Sequence, residues 1–281
     1  MSTTMTRPTV SRRRMGIRLQ RRRQEIGLSE REVAELLGYT YKSIQRIEKG
    51  TQGTKQTTIE KFIEHYKIPG DEASYLLGLR VRGAERGWWE DYIDKGTKEG
   101  TRPDFPMFLE YEQIATLIRC YEAELVPGLL QTIEYLRWLQ RVQLPIPHEV
   151  AEKVGLLRER RQALFANRTD MPQMQFLLGE SVIRTLMQLP AEVRDGQLAR
   201  LTDTARMAGV EIRVVMQLHP LAAGNCVILN DPEDFPPIVY TDHLDGCRYL
   251  EDADVTSRYE FAFSRTWEMS VSIEEYLNEH V

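Results

Sequence analysis

Residues 28–50 read LSEREVAELLGYTYKSIQRIEKG. Ser29, with Glu32 three positions on, fits a capping box, in which the serine oxygen accepts from a first-turn amide and the glutamate reaches back to the serine amide. Val33, Leu36 and Leu37 then supply a buried face, and Gly38 ends the helix. Thr40 can cap a second helix, residues 41–48, which Gly50 terminates. That helix hides only Ile44 and Ile47 as large apolar side chains and displays Tyr41, Lys42, Ser43, Gln45 and Arg46. Leu36, Leu37, Ile44 and Ile47 can close an apolar seam between two steeply crossed helices, with Gly38 and Tyr39 as the turn. Helix, short turn, helix is the arrangement that lays its second helix in the DNA major groove, which is wide enough to admit one.

The flanks extend the helical pattern. Residues 1–11 begin polar and aperiodic and are expected to form a flexible arm. From 12 to 26 the residues Met15, Ile17, Leu19 and Ile26 make an imperfect apolar stripe among arginines. Thr57 and Glu60 offer a second capping box, before Ile59, Phe62, Ile63 and Tyr66. A short helix near 71–79 completes five within residues 12–80. Charge is divided unevenly: residues 1–56 hold 13 Lys and Arg against 5 Asp and Glu, although the whole chain of 281 residues has a net charge of -5. A basic head on an acidic body is the asymmetry of a chain that brings one end to a polyanion.

The stretch resembles the Xre-type helix-turn-helix of lambda-repressor-like regulators, whose pattern places Leu28, Ser29, Ala34, Gly38, Ile44, Arg46, Glu48 and Gly50 where they stand here. The resemblance implies that Tyr41, Lys42, Ser43, Gln45 and Arg46 read bases, and that Ser29, Lys49, Thr51, Gln52 and Lys55 meet phosphates. It also implies a structural ion pair between Arg23 and Glu48. Arg12, Arg13 and Arg14 would add a minor-groove or phosphate arm. Such units usually work as dimers on half-sites a helical turn apart, so a homodimer on a double-stranded operator is expected.

Residues 81–106, with Trp88 and Trp89, read as a linker to a second domain, 107–281. Helical spacing is present over 107–120, 131–142 and 148–167, broken at Pro127-Gly128 and around Pro145-Ile146-Pro147. Thereafter the period changes. Residues 174–179 and 210–216 look like strands around a helix at 192–208, an order that favours a parallel crossover. Residues 225–229 and 237–241 resemble a hairpin, and helices over 253–269 and 272–280 end the chain. The expectation is a five-helix head followed by an α+β domain with a small mixed sheet. RGWWEDY (86–92), VPGLLQT (126–132), LRERRQALF (157–165) and FLLGESVIR (176–184) resemble the C-terminal domain of actinobacterial Xre-type regulators, WhiJ-like and antitoxin-like proteins among them. That likeness implies a domain that senses a ligand, dimerises, or binds a small protein encoded by an adjacent gene. The last case would make the chain an antitoxin-type protein that autoregulates its operon.

Other chemistry finds little support. Cys120, Cys226 and Cys247 are odd in number and widely spaced, so neither a disulfide framework nor a zinc pair is indicated, and a cytoplasmic location fits. No run of 18 apolar residues or secretory signal exists. HEVAE (148–152) begins like a zinc-protease motif but has Glu152 where the second histidine must stand. No metal, cofactor or catalytic group is therefore expected. Glu112, Glu122, Glu124 and Glu180 read as surface charge rather than a polar site. The LRERRQ run reads as a solvated helix face, the alternative being an anion site at Arg158 and Arg161. Pro127-Gly128 reads as a fixed bend, the alternative being a binding loop.

Overall fold

A computed structural model of the chain describes residues 9–84, 87–93, 105–142, 146–230, 237–243 and 246–281. It separates into two compact units, Met1–Glu90 and Asp91–Val281. The first is helical: α1 (Val10–Glu25), α2 (Glu30–Leu37), α3 (Tyr41–Glu48), α4 (Gln56–His65) and α5 (Gly70–Arg82), followed by a single 3-10 turn, Trp88–Asp91. Met15, Leu19, Val33, Leu37, Ile44, Ile47, Ile59, Phe62, Tyr66, Leu76 and Leu79 form one core drawn from all five helices.

Several local expectations change here. Leu36 is 48% exposed, and the seam is closed by Val33, Ala34 and Leu37 instead. Three and four residues apart, these last positions share one helical face, and Leu36 falls off it. The expected arm is cut short, because Thr9 caps α1 and the helix starts at Val10, which is buried. Arg12, Arg13 and Arg14 are thus helical residues that each have a partner, Arg13 Nη1 donating to the Glu48 carbonyl at 3.5 Å, and Arg14 is buried. Residues 1–8 lie outside the described residues. α4 begins two residues earlier than a Thr57 box would start it, at Gln56, and Lys55 gives it no side-chain cap. Of the linker, 85–86 and 94–104 lie outside the described residues, while its two ends belong to α5 and to the first helix of the second unit.

The second unit is α+β. In chain order it comprises α6 (Phe105–Ile114), β1 (Leu117–Glu122), α7 (Ile133–Val142), α8 (His148–Ala166), β2 (Gln173–Gly179), α9 (Glu180–Met187) and α10 (Ala191–Ala205). Then come β3 (Val210–Val215), β4 (Cys226–Asn230), β5 (Ile238–His243), β6 (Gly246–Leu250), α11 (Ala253–Glu268), β7 (Val271–Ser272) and α12 (Ile273–His280). The sheet is larger than expected, seven strands in the order β6-β5-β4-β1-β2-β3-β7. β1, β2 and β3 are mutually parallel, and the other pairings are antiparallel. The expected helix over 107–120 ends at Ile114, and Cys120 lies in β1 at the middle of the sheet.

Alternation of side chains sorts the sheet into two faces. Tyr121, Leu177, Val215, Cys226, Ile228 and Val239 share one with Phe263 of α11. On this face His219 is bonded to Tyr121 Oη at Nε2 (3.2 Å) and accepts the Leu221 amide at Nδ1 (3.2 Å). The opposite face carries Ile118, Cys120, Glu122 and Tyr240, the last in ring contact with Phe108 of α6 at 4.5 Å.

Candidate nucleic-acid interface

The outward surface of α3 is built by its caps and its two isoleucines. Thr40 is extended (φ -81°, ψ 149°) and its hydroxyl accepts the Ser43 amide at 3.2 Å, satisfying one of the first-turn donors. Before it, Gly38 ends α2 in the left-handed region at φ 72°, a conformation that costs a side-chain-bearing residue about 1–2 kcal/mol. Ile44 and Ile47 are fully buried. Helical geometry then leaves Tyr41, Lys42 and Arg46 exposed and Ser43 and Gln45 half-buried.

These side chains are not independent. Gln45 Nε2 donates to Glu30 Oε2 at 3.0 Å and to Tyr41 Oη at 2.8 Å. Hydrogen bonding to Glu30 raises the Tyr41 hydroxyl above the ordinary phenol value, and the Arg31 guanidinium lies 5.9 Å from the Tyr41 ring. With both amide protons engaged, Gln45 has its carbonyl oxygen left to offer. Glu30 and Arg31 belong to α2, and nothing in the linear pattern of α3 announces them; their part follows from how the two helices cross.

Arg23 and Glu48 brace this surface from below. Arg23 Nε and Nη2 donate to the two Glu48 oxygens at 2.7 and 2.8 Å, and Nη1 donates to the Leu28 carbonyl at 2.9 Å. Both residues are buried, and the Glu48 bond raises the Arg23 pKa. The ends of α1 and α3 and the start of α2 are thereby tied together.

Of the residues expected at phosphates, Lys49 and Lys55 are exposed. Thr51 turns back on α3, its amide and hydroxyl donating to the Arg46 carbonyl at 2.9 and 3.2 Å, and Gln52 is half-buried. Ser29 is different. Its amide donates to Glu32 Oε2 at 2.7 Å, and its hydroxyl accepts the Glu32 amide at 3.3 Å. A carboxylate of the chain itself therefore occupies the end of α2 where a phosphate was expected, and the Ser29 amide is not available to one. α4 has the opposite character: its start is uncapped by any side chain, with Lys55 at the N-cap position.

In the second unit, the four glutamates read as surface charge divide. Glu124 is exposed, and Glu180 bonds Arg184 at 2.9 Å and accepts from Tyr276 Oη at 3.3 Å. Glu112 is instead buried, held bidentately by Arg161 at 2.6 and 2.5 Å, and Glu122 is half-buried. The VPGLLQT segment is a rigid turn. Gln162 Nε2 lies within hydrogen-bond reach of the Gly128, Leu129 and Gln131 carbonyls at 3.2, 3.2 and 2.7 Å, while Gln197 donates to Leu130 and accepts from the Thr132 amide, both at 2.8 Å. Among the described residues no metal-binding group of side chains is found, and no helix is long and apolar enough to cross a membrane.

Comparison with known families agrees with this division. Residues 14–76 match a helix-turn-helix domain, so the first unit is of the DNA-binding regulator class. No curated protein matches the chain significantly. Residues 105–277, the larger part of the chain, match the domain of unknown function DUF5753, and the protein belongs to that family, with a helix-turn-helix domain at its N-terminal end.

Proposed function

We propose that this chain is an operator-binding transcriptional regulator of the Xre type, acting in the cytoplasm as a homodimer, whose C-terminal unit regulates the head. α3 enters the major groove. Lys42 and Arg46 favour guanine through O6 and N7, while Tyr41 packs on a thymine methyl or bonds a phosphate. Gln45, offering only its oxygen, accepts from the amino group of cytosine or adenine and cannot make the two-bond contact typical of glutamine on adenine. Lys49, Lys55 and the open start of α4 face phosphates, which position the domain without reading sequence. The chain performs no chemistry in this role.

The observation that supports this reading is the pairing of two fully buried isoleucines with an exposed polar face on the second helix of the motif. It is tested by binding to a selected operator and to scrambled duplexes. Arg46→Ala is expected to relax preference at one base pair at a cost of about 1–3 kcal/mol, whereas Lys49→Ala weakens all duplexes alike and lowers the salt slope by about one. Uniform losses from both variants would remove Arg46 as a base reader.

A further inference from the structure

A carboxylate beside a surface that meets phosphates is repelled by them, yet α2 places one there. Glu30 is the first residue of α2, where the helix dipole favours a negative charge, and it is half-buried. Its two oxygens have different partners. Oε1 stands 3.8 Å from Arg23 Nη2, the same nitrogen that donates to Glu48, while Oε2 accepts from Gln45 Nε2 at 3.0 Å. Gln45 Nε2 also donates to Tyr41 Oη at 2.8 Å, and the Tyr41 hydroxyl is hydrogen-bonded to Glu30 in turn. Glu30, Gln45 and Tyr41 thus close a circuit of bonds, tied through Arg23 to the buried brace beneath α3.

Chemistry fixes which end of Gln45 takes part. An ionised carboxylate only accepts, so the group turned to Glu30 must be the amino group, and the carbonyl oxygen is what remains. The bond is charge-assisted, roughly twice as strong as a neutral one. A glutamine that reads adenine uses both ends, donating to N7 and accepting from N6. Here the amino group can reach N7 only by depriving a half-buried carboxylate of its bond, which is unfavourable. Cytosine asks for less, because its N4 amino group needs an acceptor alone and its major-groove edge carries no acceptor of its own.

We propose that Glu30 is the positioning residue that sets base preference at Gln45, holding its amide so that the head reads cytosine at that base pair rather than adenine. Tyr41, its hydroxyl engaged in the same circuit, meets DNA through its aromatic face. The inference deepens the major-groove reading of α3 and rests on it.

The test is selection of duplexes from one randomised library by the full chain and its variants at fixed salt, followed by titration of the enriched duplexes. The base pair read by Gln45 is the one whose preference Gln45→Ala erases. There the parent should enrich cytosine, and Glu30→Ala should move the preference to adenine, lowering the ratio of cytosine to adenine affinities about tenfold. The base pair that Arg46→Ala relaxes should keep its preference in Glu30→Ala. In a Gln45→Ala background, Glu30→Ala should leave the cytosine to adenine ratio unchanged, since the carboxylate acts through Gln45. A purely structural role, or loss of negative charge alone, would change affinity for all duplexes alike and leave the ratio where it was. If Glu30→Ala does not fold, Glu30→Gln carries the test, with a smaller shift in the same direction, because its bond to Gln45 is neutral. The proposal is overturned if Gln45→Ala erases no preference, if the parent enriches adenine there, if removing the Glu30 carboxylate keeps the parent's ratio, or if the ratio moves equally without Gln45. A parent that enriches no sequence would overturn the major-groove reading and this inference with it. A motif that Arg46→Ala relaxes and Glu30→Ala leaves intact would overturn this inference alone.

Discussion

The buried Arg23–Glu48 pair, with side chains 9% and 2% exposed, shows how a residue can matter to a surface it does not reach. In so enclosed a setting, truncating one partner strands the other, and Glu48→Ala is expected to cost about 3–5 kcal/mol in urea unfolding. Replacing both by Met and Leu should recover most of that loss. A double variant as unstable as the two single losses combined would show that the pair contributes nothing through its mutual contact. Glu122 makes a prediction in pH. Its folded pKa of about 7 lies above the ordinary 4.5, so between these values the folded state holds the extra proton. Stability contributed by the neutral form is thus complete below pH 4.5, falls as pH rises through the window, and is lost above about 7. At most about 3 kcal/mol is involved, and Glu122→Gln should flatten that slope in denaturant titrations between pH 4.5 and 7. Among single residues, Arg23 and Glu48 were legible because the Xre-like spacing sets them in register. Glu30 was not, since its bond to Gln45 depends on a crossing of two helices that no spacing within either one encodes.

Elements were legible where one period dominated. The strands at 174–179 and 210–216 and the helices over 131–142 and 148–167 lie within a few residues of where alternation or helical spacing puts them. Reading failed at β1. Its burial is on both faces, as befits a strand with neighbours on each side, and a short apolar run of this kind satisfies a helical template as readily as a strand. β6 and β7 escaped for the opposite reason: β6 holds no fully buried residue, and β7 is two residues long. α9 follows β2 without a connecting loop, Gly179 serving as both the end of the strand and the helix cap, so no turn residues advertise the change. The VPGLLQT turn was recognisable as a break, but its rigidity resides in glutamines 31 to 67 positions away. Gln162→Ala, which removes the donor facing three carbonyls, should raise amide exchange across 126–132 several-fold and destabilise the chain by about 1–3 kcal/mol. Unchanged exchange would mean that the turn holds itself.

At the scale of the molecule, charge and composition already separated a basic head from an acidic body, and the two compact units follow that division. Their cores differ in kind. Every residue of the head's core lies between positions 15 and 79, so its contacts are complete once that short segment exists. The central strand of the second unit is assembled otherwise, with one edge on β2 and the other on β4, whose Asn230 pairs back to Thr116 across 114 positions. During synthesis, at ~5–20 residues per second, β1 must wait roughly 6–23 s for that second neighbour to be made. A ribosome stalled in this interval would display a finished head on an unfinished sheet, with an apolar strand lacking a neighbour on one side. Nascent chains of this protein are therefore expected to call on holdase chaperones for the second unit, and far less for the first.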